Sequence, residues 1–302
     1  MLIFSFGLVI LVFLAVTLVA GNNLSVCVGP TVGSRIVAKR SAILLGAIGF
    51  STGLLVQGSG MTLSVGILLP NASSTLRAET LVVAIIIFLI AFAIRVPMSM
   101  SMSIVGLLSG LSVAEHSTTN LLYLMEVVAT WVLIPVVSFA FAFYLIRFLN
   151  ISRPTNFWRR LQDYKIVLIV LSFSSAYVTG ANTLGLIVAS GGFNMLNVSA
   201  ALAAIFVGSF VLSDGAIRRV SEEFFLMRYA NAAATLVTST FLVEAATIFN
   251  IPLSITQTTS TAVFGTGMSY KVKFVTTKPF LKVAAGWIVA PLLSFAIGLL
   301  IA

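Results

Sequence analysis

The two stretches that decide the fold of this chain are WVLIPVVSFA, residues 131–140, and WIVAPLLSFA, residues 287–296. They carry Trp, Pro, Ser, Phe and Ala at the same positions, and they lie 156 residues apart. Both belong to long apolar runs, so the matched residues stand out against a background of Val, Leu and Ile. A match at this spacing indicates that one structural unit occurs twice, and such a duplication determines the whole architecture.

Two further matches occur in the same order at nearly the same offset. AGNNLSV at 20–26 resembles GANTLGL at 180–186, which lies 160 residues later. PMSMS at 97–101 resembles PLSIT at 252–256, which lies 155 residues later. Chance similarity among membrane-compatible residues is the alternative explanation. Three matches in one order favour a duplication.

The composition places the chain in a lipid bilayer. Of its 302 residues, 59% are hydrophobic and 8% are charged, whereas about 25% are charged in an ordinary soluble domain. This excludes a soluble globular protein and a disordered one. We therefore predict a multi-pass protein of the cell membrane. The apolar segments fall at 2–20, 41–69, 80–96, 97–114, 120–146, 165–181, 195–213, 229–249, 252–268 and 283–301.

Lys and Arg residues orient the two repeats. A basic cluster at 35–40 follows the first apolar run, whereas the matching stretch at 195–200 carries no charge. The imbalance is reversed later, because 115–120 has no Lys or Arg and its counterpart at 271–282 has four lysines. Since basic loops stay on the cytoplasmic side, the repeats have opposite orientations. We predict an all-α polytopic membrane protein with two inverted-topology repeats of about five crossings each. The predicted division is residues 1–160 and residues 161–302.

Polar residues beside the membrane-spanning runs are the first candidates for a binding site. They are Asn22, Asn23 and Ser25 in the first repeat, and Asn182 and Thr183 in the second. Polar side chains at membrane depth are costly unless they are paired or line a cavity. Gly21, Gly29, Pro30 and Gly33 disfavour a regular helix in the first stretch, and the element occurs twice. This predicts broken or re-entrant helices whose N-termini attract anions. Close packing of helices through small residues is the alternative.

A second pair of polar clusters follows Pro97 and Pro252. These clusters contain Ser99 and Ser101 in the first repeat, and Ser254 and Thr256 in the second. A spacing of two puts side chains on different faces of an α-helix, but several hydroxyls can converge where a half-helix starts. Hydroxyl and backbone N–H groups suit an oxyanion, and the hydroxyl oxygens also suit a dehydrated alkali cation. Alternatively, these hydroxyls bond to backbone carbonyls freed by a proline kink.

Few charged residues lie within the apolar runs. Arg95 is either an anion partner or a side chain that reaches the cytoplasmic surface. Glu244 and Glu126 could each bind a coupling cation or pair with a base elsewhere. No P-loop, HExxH or GxSxG motif occurs, so we predict neither an enzyme nor an ATP-driven pump. We expect no cofactor beyond a coupling sodium ion or proton. The net charge of +9 lies in loops, so we expect no nucleic-acid partner.

These motifs resemble those of the inorganic phosphate transporter (PiT) family. Its duplicated GANDVAN-like element is similar to AGNNLSV and GANTLGL, and its duplicated PVSTTH-like element is similar to PMSMSM at 97–102 and PLSITQ at 252–257. The resemblance covers nearly the whole chain with partial identity, as in a divergent member. It implies alternating-access transport of phosphate, or of sulfate in some relatives, with sodium ions or protons. The substrate-site residues that it implies are Asn22, Asn23, Asn182, Thr183, Ser99, Ser101, Ser254 and Thr256.

The chain departs from the family pattern at its acidic positions. The aspartate of the first element is replaced by Asn23 and Thr183, and the histidine of the second by Met102 and Gln257. These replacements remove cation ligands and groups that titrate. Coupling therefore uses another group, such as Glu244, or is absent. A secondary phosphate transporter is the leading hypothesis. A permease for sulfate or another tetrahedral oxyanion and an anion channel are the alternatives. The sequence does not determine whether the chain forms a homodimer.

Overall fold

The chain is helical throughout the part that the structure, a computed structural model, describes. The described residues are 2–35, 37–70, 72–93, 99–115, 120–151, 157–214, 228–269 and 277–301. The helices are α1 (Leu2–Gly33), α2 (Lys39–Val56), α3 (Met61–Leu68), α4 (Ser74–Ala93), α5 (Met100–Ala114), α6 (Leu121–Ile151), α7 (Phe157–Thr179), α8 (Gly185–Gly191), α9 (Met195–Val211), α10 (Tyr229–Ile248), α11 (Ile255–Met268) and α12 (Thr277–Ile301). A 3₁₀ turn at Gly58–Gly60 joins α2 to α3, and a π turn at Gly180–Leu184 joins α7 to α8. The predicted all-α class is confirmed.

Six segments within the described residues are long and apolar enough to cross a membrane. They are Phe6–Gly33, Lys39–Val56, Leu121–Asn150, Leu161–Gly191, Tyr229–Ile248 and Ala284–Ile301. Their outer faces carry exposed apolar side chains, such as Leu133 on α6 and Leu292 on α12, which suit contact with lipid. The protein is a multi-pass membrane protein.

Helices α5 and α11 are too short to cross the bilayer alone. Helix α5 has 15 residues and α11 has 14. At about 1.5 Å per residue, each is roughly 21–22 Å long, whereas the hydrocarbon core is about 30 Å thick. Both helices are almost entirely buried in protein. Each is therefore a partial span with an end inside the protein, as the sequence predicted for the second polar clusters.

The two repeats pack against each other through equivalent pairs of helices. Helix α1 packs on α9 and α7 packs on α2, while α5 packs on α12 and α11 packs on α6. At the first crossing, Gly53 of α2 meets the backbone of Tyr177, and Gly208 of α9 meets the backbone of Thr17. Each pair of equivalent residues is separated by the offset found between the sequence repeats. The chain thus has the predicted architecture of two inverted-topology repeats.

The stretches that revealed the duplication form the second crossing. Gly110 of α5 lies against the backbone carbonyl of Phe295 on α12, and Gly265 of α11 lies against that of Phe139 on α6. A Cβ atom at either glycine would collide with the facing carbonyl oxygen, so the crossing requires glycine. The repeated Pro-x-x-Ser-Phe-Ala pattern is therefore paired with a repeated glycine on the partner helix.

The predicted helix interruption occurs in the second copy. Residues Gly180–Leu184 form a π turn, which widens the helix at the repeated motif. In the first copy, α1 continues as regular helix through Asn22 and Asn23 and contains Pro30. The division between residues 160 and 161 falls within α7 and stays a prediction.

Candidate functional site

Helices α5 and α11 both begin at a buried serine. The Ser99 hydroxyl accepts a hydrogen bond from the Met102 N–H at 3.5 Å, and the Ser254 hydroxyl accepts one from the Gln257 N–H at 3.3 Å. Both serines have extended backbone conformations, as an N-cap requires. Ser99 is 6% exposed and Ser254 is 2% exposed. The N-termini of α5 and α11, each with a partial positive charge, therefore lie inside the protein.

The start of α5 meets the interrupted helix of the other repeat. The Ser101 hydroxyl donates to the Thr183 hydroxyl in the π turn, with 3.4 Å between the two oxygens. Both side chains are buried. The structure thus brings together two candidates that are 82 residues apart and come from different motifs.

The start of α11 is held by its own hydroxyls and by α6. The hydroxyls of Ser254 and Thr256 share a hydrogen bond of 2.8 Å. The indole N–H of Trp131 donates to the Pro252 carbonyl at 2.8 Å, and the Gln257 amide donates to the Trp131 carbonyl at 2.9 Å. The duplicated Trp therefore fixes the segment that leads into a partial span.

Asn182 is the residue that ties the π turn to that same segment. Its side-chain N–H groups donate to the Thr247 hydroxyl at 3.1 Å and to the Ile251 carbonyl at 3.0 Å. Its side-chain oxygen accepts from the Leu253 N–H at 2.9 Å. The side chain is fully buried, and both polar atoms of its amide are bonded to the protein. These contacts give Asn182 a positioning role, and its predicted contact with substrate stays a prediction.

The polar residues of α1 form a local cluster. The Asn22 amide donates to the side-chain oxygen of Asn23 at 3.2 Å, and the Ser25 hydroxyl donates to the Asn22 carbonyl at 2.6 Å. Asn23 and Ser25 are buried, and Asn22 is half-buried. Helix α1 also packs against α11, the helix that begins at Ser254.

These groups are all uncharged. Helix N-termini and hydroxyls stabilise an anion through N–H and O–H donors, and hydroxyl and carbonyl oxygens can also accept from it. Within the described residues, no group of three or more His, Cys, Asp and Glu side chains could hold a metal ion. The remaining candidate with a positive charge, Arg95, lies outside the described residues.

Glu244 has a partner that sequence reasoning missed. The side-chain amide of Gln57 donates to Glu244 Oε1 at 3.0 Å across the boundary between the repeats. Gln57 directly follows α2 as its C-cap, and Glu244 lies in α10, 187 residues later. An isolated glutamine at the end of an apolar run was the available signal, but nothing in the sequence connected it with a particular acid.

The fold and the site define a class of protein. Inverted repeats, partial spans that end inside the protein and a buried polar site between the repeats are the construction of membrane transporters. The sequence model of the phosphate transporter family, PHO4, matches residues 19–195 and 165–298. The chain belongs to the phosphate transporter family, so it is a transporter and not an enzyme.

Relatives with different substrates in their names match most of the chain. It is 27% identical to the sulfate permease CysP of Bacillus subtilis over 302 residues, which cover 94% of this chain and 83% of the permease. It is 23% identical to the putative phosphate permease MJ0630 of Methanocaldococcus jannaschii, with 97% of this chain and 95% of that one covered. A human sodium-dependent phosphate transporter 2 is 30% identical over 65% of this chain and 34% of its own length.

The fold is also that of a solved transporter structure. A sodium-dependent phosphate transporter superposes with a TM-score of 0.85 at 16% identity, covering 99% of this chain and all of that one. At this level of identity, the agreement concerns the fold. The predicted membership of the phosphate transporter family, as a divergent member, is confirmed by the family match together with the low identities.

Proposed function

We propose that this protein is a secondary transporter that moves inorganic phosphate across the cell membrane by alternating access, coupled to a cation. The observation that carries the proposal is the pair of partial spans, α5 and α11, which begin at buried serines beside the duplicated motifs. Two helix N-termini with nearby hydroxyls offer several hydrogen-bond donors to one small anion. The site is assigned to Asn22, Asn23, Ser25, Ser99, Ser101, Thr183, Ser254 and Thr256, with Asn182 as a positioning residue.

The chemistry of the site suits phosphate. Monohydrogen phosphate carries a proton that it can donate, so its site needs an acceptor as well as donors. The hydroxyls of Ser101 and Thr183 can serve as either, because a hydroxyl rotates to suit its partner. The absence of carboxylates from the assigned residues also lowers the repulsion that a dianion would meet.

The burial of the site supports a carrier rather than a channel. Seven of the eight assigned residues are buried, and Asn22 is half-buried. An ion that reaches such a site must wait for a conformational change that opens one side. A channel would instead give a flux that does not saturate with substrate and shows no exchange between the two sides.

Uptake into proteoliposomes tests the proposal. We expect the purified protein to take up radiolabelled phosphate when a sodium or pH gradient is imposed, with saturation at high phosphate. Ser254→Ala should raise the KM several-fold, because loss of an N-cap costs about 1 kcal/mol and disturbs the anion-facing end of α11. Ser199→Ala is the matched control, since Ser199 is exposed and its hydroxyl donates to the Met195 carbonyl within α9. Failure to transport phosphate under any gradient would refute the phosphate assignment.

Sulfate is the second candidate, and the similarity to the sulfate permease CysP favours it. Sulfate at neutral pH donates no hydrogen bond, so donors alone satisfy it. Parallel uptake of radiolabelled sulfate separates the two substrates. Sulfate uptake without phosphate uptake would mean that the motif replacements at Asn23 and Thr183 accompany a change of substrate.

A further inference from the structure

The pair formed by Gln57 and Glu244 is an ionisable site that lies apart from the proposed substrate site. Glu244 belongs to the membrane-spanning segment Tyr229–Ile248, and Gln57 directly follows the segment Lys39–Val56. The Gln57 amide nitrogen donates to one carboxyl oxygen of Glu244 at 3.0 Å. The pair therefore joins α2 of the first repeat to α10 of the second, two elements that must shift if the repeats move relative to each other.

Two oxygens of this pair are buried without a partner. Among the described residues, Gln57 Oε1 and Glu244 Oε2 have no hydrogen bond, and neither has the Thr240 hydroxyl one turn earlier on α10. The ion pair found within the same residues joins Lys39 to Asp214 and does not involve Glu244. A carboxylate that is buried without a cation or a full set of donors is costly. A proton or a metal cation at Glu244 would remove this cost.

One proton would satisfy both oxygens of the pair. A protonated Glu244 donates from Oε2, and the amide oxygen of Gln57 is the acceptor on the side chain that already bonds to Oε1. A sodium ion fits less well, because the Gln57 N–H group already faces Glu244 Oε1, where a metal ion would require an oxygen ligand. We propose that Glu244 is the proton-binding residue of the transport cycle, with Gln57 as its partner. This inference rests on the proposed transport function.

Among the described residues of the neighbouring helices, none forms an ion pair with Glu244. Tyr177 on α7 lies within electrostatic reach of Glu244. Helix α11 contains no Asp, Glu, Lys, Arg or His, and α6 contributes Glu126, which is exposed, and Arg147, which stacks on Phe143. The basic residues of α2 lie at its start, more than ten residues before Gln57, and are Lys39 and Arg40. The basic residues of α7 lie near its start, more than ten residues before Tyr177, and are Arg159, Arg160 and Lys165. Asp163 lies at the same end of α7.

The location explains how a chain without the family's acidic motif residues can still be coupled. The positions that resemble the family's aspartates hold Asn23 and Thr183, which do not titrate. Glu244 supplies a carboxyl group in the second repeat, on the helix whose end leads into α11 through residues 249–254. Proton binding at Glu244 thus acts next to the segment that Asn182 holds, and it can alter the position of one substrate-facing helix end.

Proteoliposomes that hold the wild-type or a variant protein test this proposal with the membrane potential clamped at zero. Two fluxes are compared: exchange of radiolabelled for unlabelled phosphate without any gradient, and accumulation driven by an alkaline interior. For one proton per phosphate, a gradient of one pH unit supports at most about tenfold accumulation. Glu244→Gln should retain exchange and lose this accumulation, because glutamine mimics the protonated acid. Glu126→Gln, which alters an exposed acid in another apolar run, should behave as the wild-type protein.

The outcomes separate this proposal from the proposed function. Wild-type protein that exchanges neither phosphate nor sulfate would refute the transport function. Wild-type exchange combined with full accumulation by Glu244→Gln would refute the proton site and leave the transport function intact. A loss of accumulation by both acid variants would also refute the specific assignment to Glu244.

Labelling of the wild-type protein tests the site even if Glu244→Gln fails to fold. Dicyclohexylcarbodiimide reacts with protonated carboxyl groups inside membranes, and mass spectrometry locates the adduct. We expect an adduct on Glu244 that decreases as the pH rises and does not change with sodium concentration. Protection by sodium at constant pH would overturn the proton in favour of a sodium site, and absence of the adduct at every pH would overturn the proposal.

Discussion

Replacement of Asn182 by alanine tests whether the π turn positions the start of α11. The substitution removes three hydrogen bonds, to the Thr247 hydroxyl, the Ile251 carbonyl and the Leu253 N–H. Thr247 keeps its own bond to the Val243 carbonyl. Alanine cannot form a hydrogen bond with the Ile251 carbonyl or the Leu253 N–H, so both backbone groups lose their partner. Each buried unsatisfied polar group costs about 1–3 kcal/mol. The free energy of unfolding should therefore fall by about 2–6 kcal/mol.

The same substitution should lower transport without preventing membrane insertion. The apolar spans that direct insertion are unchanged, so Asn182→Ala should reach the membrane in wild-type amounts. The segment 249–254 should lose its fixed position, and phosphate uptake should fall. We would measure uptake in proteoliposomes together with the melting temperature in detergent.

Asn194→Ala is the matched control for this experiment. Asn194 also uses its side-chain oxygen to accept a backbone N–H, that of Asn197, but it does so at the start of α9 and is exposed. Its loss should cost about 1 kcal/mol and leave uptake unchanged. If Asn182→Ala had the stability and the uptake kinetics of the wild-type protein, the positioning role of Asn182 would be refuted.

Three further substitutions extend the test. Asn22→Ala should reduce phosphate uptake while leaving insertion intact, and unchanged uptake kinetics would remove Asn22 from the site. Gly265→Ala should lower the melting temperature, at a cost of about 1–3 kcal/mol, because its Cβ would collide with a carbonyl of α6. The control Gly66→Ala places its Cβ in open space and should leave the melting temperature unchanged. Equal effects of the two substitutions would contradict the proposed crossing. Trp131→Phe should cost about 1–3 kcal/mol by leaving the Pro252 carbonyl without its indole donor, and wild-type thermal stability would contradict this.

The architecture could be predicted from the sequence because the duplicated residues lie at helix crossings. Phe139 contacts Gly265 of the second repeat, and Phe295 contacts Gly110 of the first, so the same packing constraint occurs in both repeats. The starts of α5 and α11 could also be predicted, since Ser99 and Ser254 each follow the repeated proline motif and each cap a helix. Such local features depend on residues that are close in the sequence.

The contacts of the individual site residues could not be predicted in the same way. Asn182 and Asn22 are equivalent in the sequence, yet the π turn occurs only in the second copy, and α1 remains regular. Glu126 and Glu244 both lie in apolar runs, but Glu126 is exposed and Glu244 meets Gln57 from a distant helix. Partners separated by more than 60 residues are set by tertiary packing, which hydrophobic pattern and propensity do not specify.

The measurement that tests the central claim most directly is phosphate counterflow. Proteoliposomes that contain the wild-type protein are loaded with unlabelled phosphate and diluted into a trace of radiolabelled phosphate without any ion gradient. A carrier with an alternately exposed site should concentrate the label transiently inside, and excess external phosphate should abolish this. Label that only equilibrates, at a rate proportional to its concentration, would contradict the account and indicate a channel.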